Sequence, residues 1–255
     1  MEVETRRDGA VLTITLNRPE VLNALNEAMH EGLAGALQQA VEQDVRAVVI
    51  TGAGRGFCVG ADVSELPREP QAIGELLRSR FNPNIRMICR LEKPVIAAVN
   101  GPAAGAGLAL AMACDLRLAA ESASFVPAFL GIGLIPDSGL THILPRVIGP
   151  AAAFEWLVSG RRMAAAEAAE RGLVSRVVPD DELAAATTAL TDDLVRKPTV
   201  AVGLTKRLIG HAGEMTLDEQ LDLEAKLQAV AAGTMDFAEG IAAFLEKRPP
   251  DFTGR

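Results

Sequence analysis

Two glycine-rich segments and one carboxylate carry the residue types from which a reaction can be built. The first segment is Gly56-Phe57-Cys58-Val59-Gly60-Ala61-Asp62-Val63. The second is Asn100-Gly101-Pro102-Ala103-Ala104-Gly105-Ala106-Gly107-Leu108. Residues with little or no side chain let a ligand approach the main chain. Each segment follows a strand-like apolar run and leads toward a helix. N–H groups at a helix start are unpaired and lie at the positive end of the dipole. Two of them aimed at one point make an oxyanion hole. Tight packing explains either loop alone; the pair at this spacing points to function. The carboxylate is Asp137, in Ile135-Pro136-Asp137-Ser138-Gly139-Leu140-Thr141. Read from residue types alone, it is an N-cap opening a helix.

Other chemistries are excluded by motif. Gly52-x-Gly54-x-Gly56 is not the dinucleotide fingerprint, no phosphate-binding G-x-x-x-x-G-K-[ST] occurs, and Ser138 lacks the first glycine of a nucleophile elbow. His30, His142 and His211 are isolated and read as surface or core residues. Cys58, Cys89 and Cys114 are odd in number and widely spaced, which indicates neither a disulfide framework nor a zinc site. No metal is expected, and a reducing, cytoplasmic location fits. The 25 Lys and Arg against 33 Asp and Glu give a net charge of −8, which opposes nucleic-acid binding. The N-terminus has no apolar signal region. The uncharged stretch between Lys93 and Asp115 is interrupted by Asn100, Gly101, Pro102, Gly105 and Gly107, so it reads as strand, loop and buried helix rather than a membrane span.

The elements that must position these groups alternate. Val11–Leu16, Ala47–Thr51, Pro94–Val99, Asp115–Ala120 and Ser175–Val178 read as strands. Leu22–Gln43, Ile73–Leu91 and Leu108–Cys114 read as helices. This is an α/β pattern with mostly parallel pairing. From Ala151 the pattern is mostly helical, with the strongest segments at Leu183–Val195, Val200–Ile209, Leu217–Ala231 and Phe237–Phe244. Hydrophobic residues make up 49% of the 255, with eight Phe, one Trp and no Tyr, so the core is aliphatic.

The two loops, with Ala123-Ser124-Phe125 and Gly131-Ile132-Gly133-Leu134-Ile135-Pro136, resemble the enoyl-CoA hydratase/isomerase (crotonase) family. The resemblance also takes in Leu16-Asn17-Arg18-Pro19, Leu22-Asn23-Ala24-Leu25, Lys93–Gly101, Leu144-Pro145-Arg146, Gly172-Leu173-Val174 and Phe244–Arg248. It implies a crotonase-like α/β fold of repeated ββα units over residues 1–198. Residues 199–255 would then form a C-terminal helical region that builds trimers or hexamers. It implies an acyl-CoA substrate whose thioester oxygen is held by the N–H groups of Ala61 and Ala106. Coenzyme A would enter as part of the substrate, with no permanently bound cofactor. Its contacts map onto Val21, Leu22, Ala24, Val59, Gly60, Asp62 and Val63, with Gly105, Gly107 and Leu108 on the second loop. Phe129 and Leu134 would line the acyl pocket with Leu108 and Phe125, and Phe244 and Lys247 would reach the CoA of a neighbouring subunit.

The chain departs from that family's hydratases at two positions. Their paired glutamates correspond to Ala109 and Phe129 here, neither of which can move a proton. Several isomerases of the family carry an acid at the place of Asp137. The run from Ser124 to Gly139 is similar to the isomerase of phenylacetate degradation, which acts on a ring-epoxide CoA thioester and shifts double bonds. The resemblance thus makes Asp137 the general acid/base of an isomerase. The alternatives are a hydratase with an acid from elsewhere, a nucleophilic Asp137 as in aryl-CoA dehalogenases, and a non-catalytic acyl-CoA binding protein.

Overall fold

The computed structural model describes residues 1–255. An antiparallel ribbon, β1 (Val3–Asp8) and β2 (Val11–Leu16), leads through a 3-10 turn into α1 (Glu27–Gln39) and β3 (Ala47–Gly52). Then come α2 (Pro70–Leu76), a π-helical turn at Leu77–Phe81, α3 (Asn82–Arg90), β4 (Val95–Val99) and β5 (Pro102–Ala104). They are followed by α4 (Ala106–Ala113), β6 (Leu116–Ala120) and β7 (Ser124–Val126). Next are α5 (Leu140–Ile148), α6 (Pro150–Ser159), β8 (Met163–Ala164), α7 (Ala165–Glu170) and β9 (Arg176–Val178). Four helices complete the chain: α8 (Leu183–Leu194), α9 (Thr199–His211), α10 (Leu217–Ala232) and α11 (Met235–Glu246).

Two sheets result. One runs β1-β2-β3-β4-β6-β9 and is parallel beyond its first pair; the other is β5-β7-β8. Val95-Ile96-Ala97-Ala98-Val99 is buried throughout, as a central parallel strand covered on both faces must be. Alternate side chains divide between the faces. Val48, Ile50, Val95, Ala97 and Val99 join the main core, beneath α1, α3 and α4. Val49, Ile96, Ala98 and Leu118 join a smaller cluster with Leu183 of α8. The C-terminal helices are tied to this body by polar bonds. Arg46 donates to Thr199 Oγ1 at 2.8 Å and to Phe252 O at 2.8 Å, and Lys206 pairs with Asp115 at 2.8 Å. No helix is long and apolar enough to cross a membrane.

Several boundaries differ from the sequence expectation. The first helix begins at Glu27, not Leu22, because Leu22 and Asn23 are left-handed (φ 52° and 58°) and Asn26 caps the helix by accepting from Met29 N at 2.9 Å. The helix expected over Ile73–Leu91 starts at Pro70 and is divided by the π turn. The first glycine-rich loop ends in a three-residue 3-10 turn, Val63–Glu65, rather than a helix.

Candidate active site

Hydrogen bonds lace four stretches of chain together around the two loops. Val59 N donates to Leu22 O at 3.2 Å, Leu25 N to Gly60 O at 2.7 Å and Asp62 N to Leu25 O at 2.9 Å. On the other side Ala104 N donates to Cys58 O at 2.9 Å, and Gly105 N to Val126 O at 3.0 Å. The segments 22–25, 57–62, 102–105 and the end of β7 therefore lie side by side.

Two asparagines fix the first loop from beneath. Asn23 is fully buried. Its Nδ2 donates to the carbonyls of Ala53, Gly56 and Phe57 at 2.8–3.2 Å, and its Oδ1 accepts from Arg18 N at 2.9 Å. Asn100 Oδ1 accepts from Gly52 N at 3.1 Å, and its Nδ2 donates to Gly54 O and Gly56 O. Sequence reasoning placed Asn23 in a CoA-contacting segment and Asn100 at the start of the second loop, but gave neither side chain this loop-fixing role. For Asn23 the available signal was that asparagine tolerates the left-handed region, where this loop needs it.

The glycines decide how closely the loops approach. Gly60 has φ +96°. A Cβ built there would sit 2.9 Å from Ala104 O and 3.1 Å from Ala106 N. A Cβ on Gly107 would meet Cys58 O at 2.1 Å. The main chain around Ala61 and that around Ala106 are thus in near contact. Ala106 is the first residue of α4, so its N–H has no partner inside the helix. Neither Ala61 N–H nor Ala106 N–H takes part in the chain's loop, turn or cap bonds. Two free donors on adjacent loops can bind a shared oxygen.

The other candidates divide. Phe129 is buried, and its ring tip lies 4.0 Å from where a Cβ on Gly105 would be. Leu108 is fully buried in the main core, and Leu134 packs on that core from its edge. Ala24 is buried, whereas Val21 and Val63 are exposed. Asp62 is ion-paired with Arg18 at 3.0 Å, and its Oδ1 accepts from Ser64 Oγ at 2.6 Å. The bonds from Ser64 and Arg18 hold its carboxyl below the usual carboxylate range. Ala61 also borders a narrow gap of about 10 Å³ lined by Leu25, His30, Leu66, Leu76 and Phe81. His30 is a core residue whose ring lies tilted at 60° against Phe81, centroids 4.0 Å apart, and burial, aided by Arg80, lowers its pKa to about 4. Phe244 is exposed and Lys247 caps α11, whose main helix neighbour is α10; the chain does not bring this pair to the loops. A cavity of about 720 Å³ lies on the opposite face of the large sheet, beside α8; Asn100 lines it, but none of the candidate substrate-binding or catalytic residues does.

Asp137 stands three residues before α5, which packs on α4. Its side chain caps nothing: Gly139 occupies the cap position, and the helix start has no side-chain cap. This overturns the N-cap reading of residue types. The turn is closed instead through the main chain, Leu140 N donating to Asp137 O at 3.0 Å. The half-buried carboxyl has no cation beside it. Burial pushes its pKa up, and only a hydrogen bond from Ser138 pulls the other way. A carboxylate held this way is a stronger base than one in water.

Residues 6–255 match the family described as enoyl-CoA hydratase/isomerase. The chain is 46% identical to the 1,2-epoxyphenylacetyl-CoA isomerase of Escherichia coli K12 over 97% of both proteins. It is also 46% identical to a probable enoyl-CoA hydratase of Rhodobacter capsulatus, over 95% of this chain and 94% of the relative. Among solved structures, an enoyl-CoA hydratase from Bacillus anthracis superposes with a TM-score of 0.94 at 36% identity, covering 100% of both chains. The crotonase-like α/β architecture expected from the sequence is the fold of such neighbours.

Proposed function

Because the chain belongs to the enoyl-CoA hydratase/isomerase family, we propose that it isomerises acyl-CoA thioesters, shifting a double bond or rearranging a ring epoxide, with Asp137 as the single proton carrier. One observation carries this reading. The loops, α4 and the segment 124–140 contain two carboxylates, Asp62 and Asp137. Their environments push them apart: Asp62 is neutralised by Arg18 and lowered, while Asp137 is desolvated, unpaired and raised. Such a split separates a structural acid from a working base.

In the proposed reaction, Ala61 N–H and Ala106 N–H bind the thioester oxygen. A C–H bond near the thioester is acidified as that oxygen takes up negative charge. For a double-bond shift, Asp137 removes a proton from one carbon, the electron pair moves into the dienolate, and the same carboxyl returns the proton two carbons away. No water is consumed and one carboxylate is enough. Ala109 and Phe129 fit this economy, because both are apolar and buried and neither handles protons. Phe129 and Leu134 keep water from the dienolate.

Coenzyme A then arrives and leaves with the substrate, along 21–24 and 59–63. We assign the C-terminal helices to a trimer or a dimer of trimers. Leu217, Leu221, Val230, Met235, Phe237, Ile241, Phe244 and Leu245 are all exposed on α10 and α11, more apolar surface than a lone subunit ordinarily leaves in water. In that assembly Phe244 and Lys247 reach a neighbour's CoA. The test is incubation with 3-enoyl-, 2-enoyl- and ring-epoxide CoA thioesters, with products read by mass spectrometry and NMR. Isomers of unchanged mass are expected. Addition of 18 mass units to a 2-enoyl-CoA as the main reaction would make the chain a hydratase instead.

A further inference from the structure

Ser138 combines three features that its place in the turn does not require. It is 4% exposed. Its backbone is left-handed, with φ 52°, although it is not glycine. Its hydroxyl donates to Asp137 Oδ1 at 2.8 Å, the one side-chain hydrogen bond that Asp137 makes. The next residue, Gly139, is also left-handed, with φ 80°. A second glycine at 138 would adopt the same turn without strain. A serine serving the helix start would accept a bond from a main-chain N–H, but Ser138 sends its proton to the neighbouring carboxylate. Strained non-glycine residues that persist beside reactive groups are a recognised mark of function.

We propose that Ser138 is the positioning residue of Asp137: its hydroxyl pins Oδ1, fixes the carboxylate plane, and leaves Oδ2 as the oxygen that exchanges protons with the substrate. This rests on the reading of Asp137 as the base. A carboxylate free to rotate spends less time aligned with a C–H bond, and misplacement of such a group is costly. The hydrogen bond also favours the ionised form. It opposes the burial, which favours the protonated form that is idle as a base.

Other charges do not enter. α4 has no titratable side chain, nor has the segment Phe129–Pro136. His142 and Arg146 on α5, Glu155 on α6, and Arg86, Cys89 and Arg90 on α3 are the titratable groups of the neighbouring elements, and none is ion-paired or hydrogen-bonded to the carboxyl, whose one side-chain partner is Ser138. The acid limb of the turnover profile therefore reports Asp137 and its partner.

The experiment compares the intact parent protein with Ser138→Gly, Ser138→Ala and Asp137→Asn. Turnover of a 3-enoyl-CoA is followed from pH 5 to 9, together with thermal midpoints. Ser138→Gly is the informative variant, since glycine suits φ 52° and keeps the turn. Its midpoint should be equal to or above the parent's. Its kcat should fall about 10- to 100-fold with little change in KM. The acid limb should move to higher pH in both serine variants, because removing the donor raises the carboxyl's pKa. In an Asp137→Asn background, Ser138→Gly should cost nothing further. If Asp137→Asn abolishes turnover while Ser138→Gly keeps the parent's kcat and pH profile, the positioning role is wrong and the function of Asp137 stands. If Asp137→Asn itself turns over normally, the base has been misidentified and the inference goes with it. Loss of activity in Ser138→Gly that follows a lowered midpoint would show a merely structural serine.

Discussion

Gly60→Ala tests the close approach of the two loops. At φ +96° an L-residue is disfavoured, by about 1–2 kcal/mol on the scale of left-handed backbone. The new Cβ would also lie 2.9 Å from Ala104 O and 3.1 Å from Ala106 N, against an ordinary contact of 3.4 Å or more. One loop must retreat from the other by roughly half an ångström. That movement opens the gap between the Ala61 and Ala106 N–H groups. A thioester oxygen can then hold one donor at full strength but not both. Loss of one oxyanion donor costs about 10²–10³ in kcat, or roughly 2.7–4 kcal/mol. Strain and clash together should lower stability by about 1–3 kcal/mol. The laced hydrogen bonds at Val59, Leu25 and Ala104 should still hold the fold. The assays are steady-state isomerisation, calorimetric binding of free coenzyme A, and thermal unfolding. Turnover should drop by about two orders of magnitude while coenzyme A still binds. Gly35→Ala, in α1 with nothing within 4 Å of its new methyl, is the control. A folded Gly60→Ala enzyme with parental kcat would refute the oxyanion assignment.

Asp137→Asn should cost about 10²–10⁴ in turnover, with the thioester still bound. Its stability should depend on pH in a defined sense. Burial raises the folded carboxyl above its unfolded value, so the parent loses stability as pH rises from about 4 through that raised value. The Asn variant, lacking this titration, should match the parent near pH 3 and exceed it at pH 7 in denaturant unfolding; the opposite order would contradict the desolvated carboxyl. Ala109→Glu should not confer water addition, and it should lower stability by roughly 3–5 kcal/mol, because the position is fully buried and the new charge would be taken out of water. A stable variant that hydrates 2-enoyl-CoA would overturn this. Light scattering should give a mass of about 80 kDa, three copies of the 26.8 kDa chain, or twice that. A monomer at micromolar concentration would remove the role given to α10 and α11.

The sequence revealed what depends on long apolar runs or on paired small residues. The buried strands at 47–51 and 94–99 were legible because neither face needs polar residues. Strand β1 was not: of Val3–Asp8 only Val3 is buried, so its pattern is that of an exposed ribbon. Strands β5, β7 and β8 have three, three and two residues, too few for an alternation to show. The loops could be found from glycine spacing, but their closeness could not, since it depends on Asn23 and Asn100 bonding across more than 30 residues of chain. Asp137 shows the limit most plainly. Its neighbours spell a helix cap, and what excludes that role is the left-handed pair Ser138–Gly139, which moves the helix start beyond its reach.

The free donors at Ala61 and Ala106 belong to the main chain, whereas positions 109, 129 and 137 present only side chains. A point mutation can replace a carboxylate in one step, but it cannot delete a peptide N–H unless it installs proline. Under the proposed mechanism, hold and reaction are therefore separable by mutation. On that proposal, drift at 109, 129 and 137 trades one proton itinerary for another while the proposed grip on the thioester persists. Ancestry in such a lineage is then legible in the loops, and present occupation in three side chains.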